Sequence, residues 1–212
     1  MTGCDNLATG THWSEAGVPE SKGCGSAMRA APIGLLYRAD RARLLTVARA
    51  SSVLTHGHDA AIEGAAAAAL LVAMALDGDS PEVMYEALMD ECAPRSPDLA
   101  RCLEKVPGLL DAPVEIALSG RGLGESWVAD EAVASALWCF WRHRDDYRAC
   151  VLDAVNTDGD SDSIACIAGS ISGARLGLEA IPAHWRERVE ATGALHAVGR
   201  ALHVASVGSR GV

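Results

Sequence analysis

The stretch Asn156-Thr157-Asp158-Gly159-Asp160-Ser161-Asp162-Ser163 sets carboxylates at alternate positions and ends in a hydroxyl. From the first turn of a helix, such oxygens can converge on one ion. They are hard donors, suited to Mg²⁺, Mn²⁺ or Ca²⁺ more than to zinc or copper. The same residue types also favour helix N-caps, where free backbone N–H groups and the helix dipole attract anions. Spacing alone therefore leaves an ion site and an acidic cap both open. An EF-hand is excluded: counting from Asp158 as the first loop position, the sixth is Ser163 instead of Gly and the twelfth is Gly169 instead of Glu.

A second segment, Lys22-Gly23-Cys24-Gly25-Ser26-Ala27-Met28-Arg29-Ala30-Ala31-Pro32, pairs glycines with a serine. Exposed backbone N–H groups in such a turn can hold a pyrophosphate. It is neither a Walker loop, which needs Gly-Lys-Ser/Thr in tandem, nor the GxGxxG of a dinucleotide fold.

The elements that must position these segments read as helices. Residues 1–37 are expected to be irregular, because glycine or proline punctuates nearly every turn. Asp40 caps a helix to about Thr55, and an apolar helix runs from about Asp59 to Leu76. Ser80-Pro81 and Ser96-Pro97 open two more. SGRGLGESW, after Leu118, is a glycine-rich loop. A helix from Asp130 to Arg142 has Val133, Leu137, Phe140 and Trp141 as its apolar stripe, and a shorter one covers Asp145 to Val155. Helices from about Ser161 to Gly177 and Glu190 to Val204 finish the chain before a frayed tail. Gly169, Gly173 and Gly177 recur every four residues, which suggests a neighbouring helix packed very close and either rigid support for the acidic turn or simple tight packing. No alternating strand pattern of useful length occurs, so the chain is expected to be all-α and to form a single domain over residues 1–212.

A net charge of −10 over 212 residues argues against sequence-independent nucleic-acid binding, which needs a basic surface. Seven cysteines without a CxxC pair fit a reducing cytoplasm, with thiols acting mostly as small hydrophobes. No zinc-ligand spacing and no secretory signal is visible, and the longest apolar run, Ala65 to Leu76, is short for a membrane span. A cytoplasmic protein with no membrane partner is expected.

Gly23–Pro32 followed by IGLLY, and later NTDGDSDSIACIAGSISGARLG, together resemble the ADP-ribosylglycohydrolase family, whose pattern is approximately GNGxxMRxxPxG, a histidine after a helix, then GDxDTxAxIxGxxxGAxxG. Thr55-His56 matches the histidine, and EAVASALWCFW resembles the helix before the metal turn. The resemblance implies an orthogonal helical bundle that binds two Mg²⁺ ions (Mn²⁺ in some members) and hydrolyses the glycosidic bond joining ADP-ribose to a protein side chain or small molecule. It implies Asp160, Asp162 and Ser163 as metal ligands, and Gly23, Cys24, Gly25, Ser26, Ala27, Met28 and His56 as substrate contacts. Leu123 is implied as lining the adenosine pocket. His56 has a helix-start role as its alternative, and Trp127 either a stacking face or, in preference, a core position. No general base is assigned.

Two departures matter. Cys24 stands where the family usually has asparagine, a better hydrogen-bond donor. The GDxxGxxxE and Thr-Asp-Asp motifs of the family's N-terminal portion do not occur, so an N-terminally truncated fold with half of the metal site, and little hydrolysis by this chain alone, is expected. The alternatives are an ADP-ribosyl hydrolase completed by another chain, a catalytically impaired ADP-ribose-binding or structural relative (crystallin-like members use the fold without catalysis), and a helical scaffold that self-associates through a bare apolar face.

Overall fold

A computed structural model describes residues 2–208, and among these the chain is all-α. In chain order the helices are α1 (Thr2–Ala8), α2 (Gly25–Met28), α3 (Ala31–Tyr37), α4 (Arg41–Val53), α5 (Asp59–Asp77), α6 (Pro81–Glu91), α7 (Pro97–Lys105), α8 (Val114–Ala117), α9 (Ala129–Arg142), α10 (Tyr147–Val155), α11 (Ser161–Leu176), α12 (Ala183–Arg186) and α13 (Thr192–Gly208). Extended pairing among the described residues is confined to two isolated bridges, Val18 with His56 and Gly23 with Val128.

Local chemistry sets several helix starts. The side chains of Asp40, Ser80, Ser96 and Asp146 each accept a hydrogen bond from the backbone N–H three residues on, satisfying a donor that the helix cannot. The start of α5 is different: His58 Nδ1 accepts the Ala60 N–H at 3.1 Å. Gly78, at φ +88°, ends that helix in the left-handed conformation that glycine adopts without strain.

The expectation of an irregular 1–37 is corrected, since α1, α2 and α3 all lie within it. Pro32 occupies the first turn of α3, where its missing N–H costs nothing. Gly34, inside α3, serves contact: a Cβ there would stand 2.3 Å from the Ala69 carbonyl oxygen of α5. The last helix begins at Thr192 and continues to Gly208, beyond the expected Val204; the remainder of the expected frayed tail lies outside the described residues.

Helix α5 is the axis. It packs against α2, α3, α4, α6, α7, α9 and α11. Every residue from Gly64 to Ala75 is buried. Its 19 residues are long and apolar enough to cross a membrane, but most of that length is buried inside the bundle. Its alanines keep the rod thin, so neighbouring backbones come to contact: a Cβ on Gly64 would meet the Ala129 Cβ of α9 at 2.9 Å. Arg49 of α4 adds one polar tie, a bidentate ion pair with the buried Glu63 at 2.8 Å that also reaches the Glu91 carbonyl.

The expected stripe of α9 holds for Val133, Leu137 and Phe140, all fully buried. Trp141 is half-buried, with Nε1 donating to Glu82, and the fully buried indole is Trp138, which donates to the Leu109 carbonyl at 2.8 Å. The glycine face of α11 also differs from expectation. A Cβ on Gly169 would stand 3.4 Å from the Tyr147 hydroxyl, and one on Gly173 would stand 3.7 Å from Tyr147 Cε2. These are side-chain contacts with α10, not backbone on backbone, and Gly177 is a C-cap at φ +77°. Helix α13 lies against α3 and leaves Leu195, Val198, Val204 and Val207 more than half exposed.

Two glycine-to-alanine substitutions should therefore have opposite signs. Gly34→Ala forces a methyl into the α5 backbone and should destabilise by about 1–3 kcal/mol. Gly173→Ala meets only an ordinary contact and should stabilise by up to about 1 kcal/mol, the helix-propensity gain. Urea unfolding midpoints of the two variants check both signs.

Candidate functional site

The acidic turn enters α11, and Asp160 is its N-cap by position, yet its carboxylate makes no capping bond to the helix. Asp160 Oδ2 instead faces Cys24 Sγ at 3.2 Å. This geometry separates the two readings that spacing left open: the Asp160 carboxylate is turned away from the helix N–H groups and towards the glycine-rich turn. Ser163 is 2% exposed, and its Oγ lies 3.0 Å from Cys24 Sγ and 3.2 Å from Met28 Sδ. Asp162 is exposed on the open side of the turn, and Asp158 is exposed as well.

The glycine-rich turn is placed by backbone. The Ala129 N–H donates to the Lys22 carbonyl at 2.8 Å, and the Cys24 carbonyl accepts from Ala27 and Met28. At the start of α2 the N–H groups of Gly25 and Ser26 have no intrahelical partner. The Ser26 hydroxyl is committed elsewhere, donating to the Ala61 carbonyl of α5 at 3.1 Å, so Ser26 offers a ligand its backbone and not its side chain. Ala27 is buried beneath the turn. Burial raises the Cys24 thiol above its ordinary range, and Asp160 beside it adds to the rise, while a hydrogen bond with Ser163 opposes it.

His56 lies against both glycines: a Cβ on Gly23 would be 3.1 Å from its Nε2, and one on Gly25 would be 3.5 Å from its Cε1. Arg29 donates to Thr55 Oγ1 at 2.7 Å, and that oxygen stands 2.6 Å from His56 Nδ1. Thr55 Oγ1 also donates to the Ser52 carbonyl at 3.4 Å, and the other ring nitrogen of His56, Nε2, faces the glycine turn. Desolvation, with Arg29 adding to it, lowers the His56 pKa, so the ring is neutral near pH 7. A purely helix-capping role belongs to the neighbouring His58.

The loop after α8 closes the third side. Its Glu125 carbonyl accepts the Asp160 N–H at 2.8 Å, and a Cβ on Gly159 would sit 2.2 Å from the same oxygen, so only glycine permits that approach. Ser126 is fully buried at φ +66°, a conformation costly for a residue with a side chain. Glu131, accepting the Ser126 N–H at 2.9 Å, and Ser135, accepting its hydroxyl at 3.1 Å, hold it there. Leu123, 1% exposed, lines a cavity of about 360 Å³ with Lys105, Gly124, Glu125, Trp127 and Glu131. Trp127 corrects the core expectation: it is 61% exposed, and its Nε1 donates to Glu125 Oε2. The strained Ser126 turns the chain so that the next side chain faces outward.

Gly23–Met28, His56, Asp160 and Ser163 are thus brought together, with Leu123 and Trp127 reached through Glu125. Glu131 and Ser126 were not legible as site residues; the signal for Glu131 was its place in the first turn of α9, which reads equally as ordinary dipole compensation. Among the described residues no group of three or more His, Cys, Asp or Glu side chains is placed to hold an ion. A Mg²⁺ ion commonly uses one or two carboxylates and keeps several waters. The uncapped Asp160 carboxylate, Asp162 and the Ser163 hydroxyl suit such an ion chemically.

A family model described as ADP-ribosylglycohydrolase matches residues 1–210. An uncharacterized protein of Archaeoglobus fulgidus is 37% identical over 182 residues, covering 86% of this chain and 58% of that protein. ADP-ribosylhydrolase ARH3 of Mus musculus is 29% identical over 211 residues, covering 86% of this chain and 57% of its own length. ADP-ribosylarginine hydrolase Tri1 of Pseudomonas putida is 27% identical over 184 residues, 46% of its length. A solved structure titled ADP-ribosylglycohydrolase-related protein complex superposes with a TM-score of 0.82 at 31% identity, covering 97% of this chain and 68% of that one. The chain spans less than three fifths of the curated relatives cited.

The lowered pKa of His56 has a signed consequence. The folded ring binds a proton less readily than the unfolded one, so its contribution to stability is present above the ordinary histidine value of 6.5 and is lost as pH falls through the folded pKa. Urea midpoints measured downward from pH 7.5 should fall more steeply for the wild type than for His56→Gln.

Proposed function

This chain belongs to the ADP-ribosylglycohydrolase family, and on that premise we propose that its site binds the ADP-ribose moiety of an ADP-ribosylated protein or small molecule and serves a Mg²⁺- or Mn²⁺-assisted hydrolysis of the glycosidic bond. The observation that carries the reading is the meeting of the glycine turn, His56 and the uncapped Asp160 at one place, from positions far apart in the sequence. ARH3 and Tri1, to which the chain is similar, are described as hydrolases of ADP-ribosyl and ADP-ribosylarginine groups.

Each residue has a distinct task. The N–H groups of Gly25 and Ser26 offer donors to phosphate oxygens, and a neutral His56, in the tautomer with its proton on Nε2, adds one without the cost of burying a charge. Leu123 forms the floor of the adjoining cavity, and the exposed ring of Trp127 offers the base a stacking face. Asp160, Asp162 and Ser163 are the residues that would hold an ion. Such an ion supplies Lewis acidity, orienting sugar hydroxyls and water and stabilising the charge that develops as the bond breaks.

A second reading, ADP-ribose binding without turnover, is favoured by the sparse donor set. Release of ADP-ribose from a modified arginine or serine peptide, with and without Mg²⁺, separates the two. Ion-dependent release supports hydrolysis; calorimetric binding of ADP-ribose without release at high protein concentration supports the second; no binding of ADP-ribose sinks both. Trp127→Ala should weaken ADP-ribose binding by about 1–3 kcal/mol, the range for loss of a base–aromatic stack, and unchanged affinity would remove the stacking role. Asp160→Asn should abolish the dependence on added ion and leave the fold intact, as read by circular dichroism.

A further inference from the structure

We propose that Cys24 is a fourth protein ligand, through its sulfur, for the ion assigned above to Asp160, Asp162 and Ser163; the inference rests on that reading. Cys24 is 8% exposed, with its Sγ 3.2 Å from Asp160 Oδ2 and 3.0 Å from Ser163 Oγ. Donors that share an ion stand at such separations. Sulfur at about 2.3 Å and oxygen at about 2.1 Å from a metal, at right to tetrahedral angles, lie roughly 3.1–3.6 Å apart. The sulfur thus stands from each of the two oxygens at, or just inside, the spacing of a common coordination shell.

The sulfur is also held in place. The Cys24 carbonyl takes the Ala27 and Met28 N–H groups at 2.9 and 3.1 Å, and the His56 ring closes the turn beside Gly23 and Gly25. Asp160 is held through its own N–H on Glu125, at the opposite end of the contact. The two backbone segments that bring the thiol and the carboxylate together are thus each anchored.

Ligation would break the Cys24 S–H bond, release its proton to solvent and leave the sulfur electron pair for the ion, with no change of oxidation state. A thiolate is a soft donor. It shifts an otherwise hard oxygen set from Mg²⁺ towards Mn²⁺, Co²⁺ or Zn²⁺. The departure from asparagine at this position thereby changes the metal preference of the site and not merely its hydrogen bonding.

The test uses the full, reduced chain in a Cys4→Ala, Cys166→Ala background, which removes the two thiols that are not buried. Cd²⁺ is titrated while sulfur-to-metal charge transfer is followed in the ultraviolet and binding is followed by calorimetry. A band rising with one equivalent of Cd²⁺ is expected. Adding Cys24→Ser should abolish the band, weaken Cd²⁺ at least about tenfold (the scale on which even outer-shell partners matter) and leave Mg²⁺ binding no weaker. Cys24→Asn provides the same comparison should the serine variant unfold by circular dichroism. Cd²⁺ bound without the band, or a band that survives loss of Cys24, overturns the sulfur ligand and leaves the ion reading standing. Failure of Cd²⁺, Mn²⁺ and Mg²⁺ all to bind overturns both.

Discussion

The thinness of α5 is the constraint on which the rest of the molecule depends. A helix that is mostly alanine, with one glycine, from Ala60 to Ala69 offers little side-chain volume there, so it gains burial by letting several neighbouring backbones reach it at once. Gly34 rests on the Ala69 carbonyl, Gly64 admits the first turn of α9, and Ser26 hydrogen-bonds the Ala61 carbonyl. The last contact joins architecture to chemistry. It fixes the turn that carries Cys24 and Gly25 directly to the central rod, and at 3.1 Å it leaves that turn little freedom.

The acidic turn is held by a different device. Its position is set by the loop before α9, whose Glu125 carbonyl receives the Asp160 N–H. That loop is kept in a conformation it would not choose: Ser126 sits at positive φ with its side chain fully buried. Glu131 and Ser135 satisfy the polar groups this conformation would otherwise orphan. A strained residue persists where its surroundings over-determine it. Here the same strained turn aims Glu125 inward at the acidic segment and Trp127 outward at solvent.

What the sequence disclosed follows the range of the interactions involved. The caps at Asp40, Ser80 and Ser96 were legible because donor and acceptor are three residues apart and the residue types are few; the cap at Asp146 was missed, the helix having been expected from Asp145. The His58 cap was not, because histidine rarely serves there. The helices within 1–37 were hidden by glycine and proline, which signal breaks unless tertiary contact gives them another use, as at Gly34. The site residues were nameable through family motifs, but their arrangement was not. The Cys24 to Asp160 contact spans 136 positions, and nothing local encodes it. Trp127 misled because its size favours burial, whereas the Ser126 turn beside it decides otherwise.

The distribution of rigidity across the site has a chemical logic. The half that would meet phosphates is built from backbone N–H groups and one neutral ring, on segments bonded to α5 and α9. Backbone donors lose no side-chain entropy on binding, so a ligand there meets a surface already ordered. The half that would meet an ion is graded: Ser163 is buried, Asp160 half-buried and Asp162 exposed. An ion entering from the Asp162 side would exchange water for protein oxygens one at a time, which suits a cation that dehydrates reluctantly. The buried thiol of Cys24 lies at the deep end, where a soft donor to such an ion would meet the least competition from solvent.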